Sequence, residues 1–294
     1  MAGSNTPRPQ VACEVSAERV VAARASHGAQ SLEHVNAQNL AAGIVTPGLQ
    51  HANVTARDAL VAALRESLAP VTGRSRDLTL VIPDASTRIL LLDFDTLPDK
   101  AEDADSVVRF RLKKSLPFDV DASAVSFDRY LADGGMRVVV AVAPNAVLQE
   151  YESVVREAGY NPGTVLPSMI AALGVVDGLR PTMVIKAERG TTTFAIVDNN
   201  QLLLYRALEN GGTAVTGESL VDDVNTSLVY FEDRYGISVD RLLVTGVQSA
   251  QALQSAFSSS SIHVEELVTS SVMGAGAGSV ARSALAGVAG ALVA

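Results

Sequence analysis

The spacing of apolar and polar positions divides the chain into short strands and helices along most of its length. Val11–Val15 and Arg19–Ala25 are largely apolar runs that predict a hairpin. From Ser26 to Asn53 the periodicity weakens, with strand-like pieces such as Gly43–Thr46. Thr55 reads as an N-cap, and behind it Leu60, Ala63, Leu64 and Leu68 line one helix face that ends before Pro70. Leu78–Ile82, apolar except for Thr79, reads as a strand covered on both faces, and Arg88–Phe94 as another strand. Asp99–Lys114 predicts a charged helix with Val107, Val108, Leu112 and the stem of Arg111 turned inward. Val125–Leu131 and Met136–Ala143 join across Asp133-Gly134-Gly135, a hairpin signal. Pro144 opens a helix whose inner face is Val147, Tyr151, Val154 and Val155, and Gly159 closes it. A strand at Gly163–Leu166 and a helix at Ser168–Val175 complete this set.

A second set follows the break Asp177–Pro181. Met183–Ala187, Phe194–Asp198 and Leu202–Ala207 predict a meander, turning at Glu188-Arg189-Gly190 and at Asn199-Asn200. After Thr216, Leu220, Val224, Leu228, Phe231 and Tyr235 recur at helical spacing until Gly236. Arg241–Thr245 is a buried strand, Ser249–Phe257 a helix, Ser258–Ser261 a loop and Val264–Leu267 a short strand. In the small-residue segment Val272–Ala294, the spacing of Ala281, Leu285, Val288 and Leu292 predicts a helix packed on the protein. That segment is too rich in Ala and Gly, and too interrupted by Arg282, to read as a bilayer span. Meanders that feed buried parallel-type strands with helices indicate an α/β protein in two halves.

Composition narrows the function. With 294 residues, 48% of them hydrophobic, the chain has enough apolar surface for two cores. Lys+Arg 23 against Asp+Glu 32 leaves a net charge of -9, the wrong sign for nucleic acid or an anionic lipid surface as main ligand. Cys13 is alone, which removes disulfides and cysteine-based zinc sites and fits a reducing compartment, and its apolar strand makes it a small core residue. Met1–Gln10 is polar and lacks the apolar stretch of a signal peptide. His27, His34, His51 and His263 show no metal spacing, so no metal is expected. The serines of 258–261 have no adjacent base, no Gly-x-Ser-x-Gly occurs, and no catalytic residue is assigned. Glu102, Asp103 and Asp105 favour the start of their helix and Arg109, Arg111, Lys113 and Lys114 its end, through the helix dipole. The same four bases are also able to face an acidic partner segment.

The duplicated arrangement resembles the actin-like fold shared by actin, sugar kinases and heat-shock chaperones. Three ordered features sharpen the likeness: Leu80-Val81-Ile82-Pro83-Asp84, then an acidic helix ending in Ser115-Leu116-Pro117-Phe118-Asp119, then Val138–Pro144 with Tyr151–Gly159 and Pro167–Gly174. Together they are similar to the type IV pilus assembly protein PilM family. The resemblance implies an α/β, actin-like (ribonuclease H-like) duplicated fold with a PilM/FtsA-type inserted subdomain. It places the first half at 9–178, with the insertion at about 86–143, and the second half at 179–294. Only Leu208–Gly217 stands where relatives carry a lid subdomain, so the second half is expected to have a reduced lid and the whole chain to be short for its fold. The tripeptide Leu116-Pro117-Phe118 also has a local reading, as a proline-terminated helix end anchored by two apolar neighbours.

The resemblance further implies a nucleotide site between the halves, and here the residues depart from the usual Asp-x-Gly hairpins. The first hairpin carries Glu14 and Ser16. The second carries Lys186 in place of the metal-orienting carboxylate, followed by Glu188, Gly190, Thr191 and Thr192. An ammonium only donates and does not ligate magnesium. The adenosine-binding glycine pair is reduced to Gly246, followed by Val247 and Gln248. No cofactor is therefore expected: ATP is conceivable as a ligand, but its hydrolysis is not expected. The resemblance then implies a cytoplasmic scaffold at the inner face of the inner membrane, attached there only through its partner. That partner would be the cytoplasmic N-terminal tail of a PilN-like membrane protein, held near Leu116, Pro117 and Phe118, with self-association a further possibility. The competing expectations are an actin-like ATPase that hydrolyses ATP during assembly and a type II secretion platform protein, whose relatives usually continue into a membrane span.

Overall fold

The computed structural model describes residues 9–132, 134–211, 217–246, 250–258, 260–274, 278 and 280–293. In the first half, β1 (Val11–Val15), β2 (Arg19–Ala25) and β3 (Leu32–Asn39) form a meander that leads to α1 (Arg57–Leu68) and β4 (Asp77–Ile82). The strand β5 (Arg88–Phe94), α2 (Ala101–Lys113), β6 (Ser123–Ala132) and β7 (Gly135–Pro144) follow. Next come α3 (Asn145–Glu157), β8 (Asn161–Pro167) and α4 (Ser168–Ala172), the last continuing as a 3-10 turn to Val175. The second half contains β9 (Thr182–Glu188), β10 (Thr191–Asp198), β11 (Gln201–Glu209), α5 (Gly217–Tyr235), β12 (Arg241–Gly246), α6 (Ala250–Ala256) and β13 (His263–Glu266). The helices α7 (Ser270–Met273) and α8 (Ala286–Val293) close the described chain. Asp133, Thr216, Val247, Gln248, Ser249 and Ser259, which several of the expectations above use, lie outside the described residues.

Two five-stranded sheets repeat one strand order, β3-β2-β1-β4-β8 and β11-β10-β9-β12-β13. In each, the meander is antiparallel, and the later strands join parallel to its first member. The helices α1 and α3 cover the outer face of the first sheet over Cys13, Leu60, Leu64, Leu80, Tyr151 and Val154. The corresponding face of the second sheet packs Ile185, Phe194 and Val244 against Leu220, Val224 and Phe231 of α5. The inner faces meet in a third apolar cluster that includes Val81, Met169, Val184, Leu243, Leu285 and Val288. A separate three-stranded sheet, β5-β7-β6, with α2 on one side, holds its own core of Val108, Leu112, Val120, Val138, Val140 and Val142.

Several local expectations are corrected. Helix α2 turns Ala104, Val108 and Leu112 inward, whereas Val107 is 37% and Phe110 63% exposed. One sheet face buries a narrower stripe than the adjacent apolar residues suggest. Arg111 is exposed rather than tucked against the core. Thr55 does not cap α1; its hydroxyl donates to the carbonyls of Gly43 and Ile44, and the helix begins at Arg57 without a side-chain cap. The weakly periodic stretch contains a full edge strand, β3, and only an isolated bridge between Val45 and Val54 in place of a strand-like Gly43–Thr46. The outward positions of β3 are polar on an edge that is half solvated, which blurs the alternation.

At the end of the chain, Ala281 is exposed and precedes a 3-10 turn, so the final helix starts five residues later. It is apolar on every side and buried on every side from Ala286 to Leu292. It packs against α4, β1, β2 and β4 and thus lies on the first sheet, although it follows the second half in sequence. Only residues 210 to 216 connect β11 to α5, so no lid subdomain is inserted there.

Candidate functional site

The two meander hairpins face each other across a cleft of about 900 Å³. Its base is built by β1, the end of β4 and β9. Each of these strands is held in the middle of its sheet, so residues at its end are fixed in position. Glu14 on β1 and Lys186 and Glu188 on β9 all line this base. The Lys186 ammonium is in direct contact with the Glu188 carboxylate and 3.5 Å from Oε1 of Glu14, with only 3% of its surface exposed. The charge brought in by Lys186 is therefore met by carboxylates from both halves.

Asp84 joins the same group. It follows β4 directly after Pro83, is 3% exposed, and accepts hydrogen bonds from the Met169 amide at 2.8 Å, Thr193 Oγ1 at 3.2 Å and the Tyr205 hydroxyl at 3.3 Å. Thr193 and Tyr205 belong to the second half, which makes Asp84 a second polar link between halves. Burial raises the Glu14 carboxyl above its usual range, against the lowering pull of Lys186. Burial also raises Asp84, and Lys186 again opposes it. For Lys186 burial alone would favour loss of the proton, but Glu188, Glu14 and Asp84 together outweigh it and hold the ammonium charged. Ser168 donates to Glu14, and Gly287 of α8 closes over the same carboxyl: a Cβ there would lie 2.5 Å from Oε2.

The other candidate residues have mixed placements. The Ser16 hydroxyl accepts from the amides of Glu18 and Arg19, so two hairpin N–H groups that would face a phosphate are already satisfied within the turn. Gly190, with φ of 88°, and Thr191 line the cleft, but Thr192 does not; its hydroxyl accepts from Asn210 Nδ2 at 2.8 Å. Gly246 also lines the cleft, and its glycine identity has a structural cause. Its φ is 95°, and a Cβ would lie 2.0 Å from the Ala187 carbonyl oxygen across the parallel β9–β12 pairing. Among the described residues no group of three or more His, Cys, Asp or Glu is arranged to hold a metal.

Toward its outer end the cleft becomes a groove between the loop that follows β3, including Leu40, Val45 and Leu49, and the insertion at Arg88 and Pro117. Pro117 is exposed on this groove, whereas Leu116 and Phe118 are half-buried against the insertion's own core. The loop wall is braced by Asn53, whose side chain is wholly buried. Its Nδ2 donates to the Gly48 and His51 carbonyls, and its Oδ1 accepts from Gly48 N, Ser86 Oγ and Tyr151 OH. At the rim, exposed ion pairs link Arg189 to Glu18 at 2.9 Å and Arg88 to Glu209 at 3.2 Å, each worth at most about 1 kcal/mol.

Asp84 and Asn53 are not among the site residues that the sequence points to. An acid immediately after a buried apolar strand is a usable signal for Asp84, since the strand fixes where its carboxyl must go. A lone Asn in a weakly periodic loop offers none.

The insertion is docked on the second half. Arg137 on β7 binds Asp93 at 2.7 Å and donates to the Tyr235 hydroxyl at 2.9 Å, while Tyr130 donates to the Leu202 carbonyl. The Arg137 guanidinium bonded to Asp93 holds that carboxyl below its usual range, against a smaller effect of burial. That pair lies within the insertion, but Arg234 of α5 also reaches Asp93 at 3.3 Å, so the charged carboxyl contributes to docking above the ordinary carboxylate range and loses that effect as pH falls through its own lowered value. Glu14 and Asp84 act with the opposite sign. Their raised values mean the folded protein keeps protons that the unfolded chain releases, so acidification from neutrality favours the folded base of the cleft. Acid below the ordinary carboxylate range is therefore expected to loosen the insertion from α5 before it loosens β1 from β9. Hydrogen exchange corrected for intrinsic rates will show this order, and simultaneous loss would contradict it.

Two sheets of one strand order around a cleft, with a small sheet inserted in the first half and no lid in the second, define an actin-like fold. The insertion gives it the PilM-like form: the PilM-PilN type IV pilus biogenesis complex superposes with a TM-score of 0.77 at 15% identity, covering 98% of this chain and 98% of that one. Ethanolamine utilization protein EutJ from Carboxydothermus hydrogenoformans gives 0.54 at 10% identity, covering 99% of this chain and 91% of its own. The cytoplasmic domain of EpsL, an inner membrane component of the type II secretion system of Vibrio cholerae, gives 0.51 at 11% identity, covering 89% and 98%. No family model and no curated protein matches the sequence. At these identities the shared property is the fold.

Proposed function

We propose that this protein is a cytoplasmic scaffold of a type IV pilus or related secretion assembly platform, held at the inner face of the inner membrane by its partner. It binds the N-terminal tail of a PilN-like inner-membrane protein in the outer groove and does not hydrolyse ATP. The observation that carries this reading is the division of the cleft. Its base is filled by an ammonium among carboxylates, while its outer end stays open between the loop after β3 and Pro117. An extended tail supplies backbone hydrogen bonds and apolar anchors to such a groove. The likeness in fold to the PilM of a PilM-PilN complex supports the choice of partner, and no helix among the described residues is long and apolar enough to cross a membrane.

The base of the cleft does not suit magnesium nucleotide. A triphosphate would meet Glu14, Asp84 and Glu188, whose one buried cation is already paired, and no metal-ligating set accompanies them among the described residues.

The test is binding of a synthetic PilN-type tail peptide. Pro117→Asp, on the exposed side of the groove, should weaken binding at least tenfold with an unchanged circular dichroism spectrum. Phe118 is unsuited to this test because it also supports the insertion's core. Unaltered binding by the Pro117 variant would refute the site, and a wild-type protein that ignores the peptide would refute the partner. Magnesium-dependent ATP binding in calorimetry would favour the ATPase reading instead.

A further inference from the structure

We propose that Glu14, Asp84 and Glu188 form a cation site whose occupant is the chain's own Lys186, and that this ammonium holds the two halves together in place of a metal nucleotide. The cleft lies between the two halves, and charged side chains from both meet at its base. Here the bridging charge is covalently part of β9. Lys186 reaches from the second half to Glu14 of the first, while Glu188 beside it provides the counter-charge. Asp84 of the first half extends the link by receiving Thr193 and Tyr205 of the second.

Three further features pack the Glu14–Lys186 side of the group away from solvent, although Glu188 still faces the cleft. Ser168 donates to Glu14 from the first half, Gly287 allows α8 to lie directly on the Glu14 carboxyl, and Lys186 is 3% exposed. A buried charge is retained only when it is paired, so withdrawing Lys186 toward solvent would strand the carboxylates around it. The closed arrangement is thus the one that satisfies these groups without any added ligand. This inference goes beyond the scaffold reading and does not depend on what occupies the outer groove.

The experiment measures the separation of the halves in the full chain. Spin labels go on cysteines introduced at Ala62 on α1 and Asn225 on α5, both exposed; the native Cys13 is buried and stays unlabelled. The wild-type background should show one narrow distance that magnesium ATP leaves unchanged. Lys186→Met should lower Tm by about 10 °C, because it leaves the carboxylates without their cation. Lys186→Met with Glu188→Gln removes both charges of the direct pair, so it should recover most of that Tm and yet show a broader, longer distance distribution. A double variant with the wild-type distance distribution overturns the proposal, as does a wild-type distance that shifts with magnesium ATP. Should Lys186→Met alone prove insoluble, the double variant decides the question.

Discussion

Gly290→Ala is expected to cost about 3 kcal/mol or more, or to prevent folding, although it adds a single methyl group. Gly290 lies in α8 where the helix crosses α4, and a Cβ there would sit 1.9 Å from the Ala171 carbonyl oxygen and 2.8 Å from its carbon. The obstacle is backbone, so no rotamer change relieves it. The helix itself cannot retreat, because Ala286 to Leu292 are buried on all sides, on the first sheet and within the apolar cluster between the halves. A displacement of α8 would also lift Gly287 from Glu14 and admit water to the ion-paired base of the cleft. Urea denaturation of the variant against wild type checks this, and a loss below about 1 kcal/mol would show that α8 is not packed as described.

Asn53→Leu should be comparably damaging, at about 3–4 kcal/mol, for the opposite reason: it removes hydrogen bonds rather than adding volume. The Asn53 side chain makes five, to Gly48 twice, His51, Ser86 and Tyr151. Leu leaves the Gly48 amide and the Gly48 and His51 carbonyls without those partners, while Ser86 and Tyr151 keep their contact with each other at 3.2 Å. Asn53→Asp separates the two sides of the amide. It keeps the acceptor and loses both donated bonds, so an intermediate loss is expected. Because this residue braces the groove wall, hydrogen exchange at Gly48 should rise in both variants, and tail-peptide affinity should fall with stability. A Leu variant with native stability and an unprotected Gly48 amide already in the wild type would refute the brace.

Much of the architecture is legible in the order of residues alone. The first hairpin, the second meander, the long α5 and the pairing of β6 with β7 follow from period-2 and period-3.6 patterns bounded by turn residues. Asn199 and Asn200, both at positive φ, form the turn their side chains favour. The edge strand β3 is harder to read, because half of it faces solvent, and the inner face of α2 is narrower than its run of apolar residues implies. In the candidate site, Glu14, Lys186 and Glu188 follow from matching two hairpins to a known pattern, and the structure brings all three together. Thr192 matches the same pattern but faces Asn210.

Sequence by itself determined the two successive sets of strands and helices and, through the matched hairpin pattern, the exchange of a carboxylate for Lys186. Each depends on local periodicity or on the identity of one side chain. Tertiary structure alone decided what that exchange does. Whether a lysine points to solvent or into a ring of carboxylates depends on Glu14, Asp84 and Ser168, which lie far from it in sequence and are brought to it only when the two sheets close. The same holds for α8, whose small residues gave a helix but no address. Its place on the first sheet follows from the close approach that Gly287 and Gly290 permit to partners more than a hundred residues away.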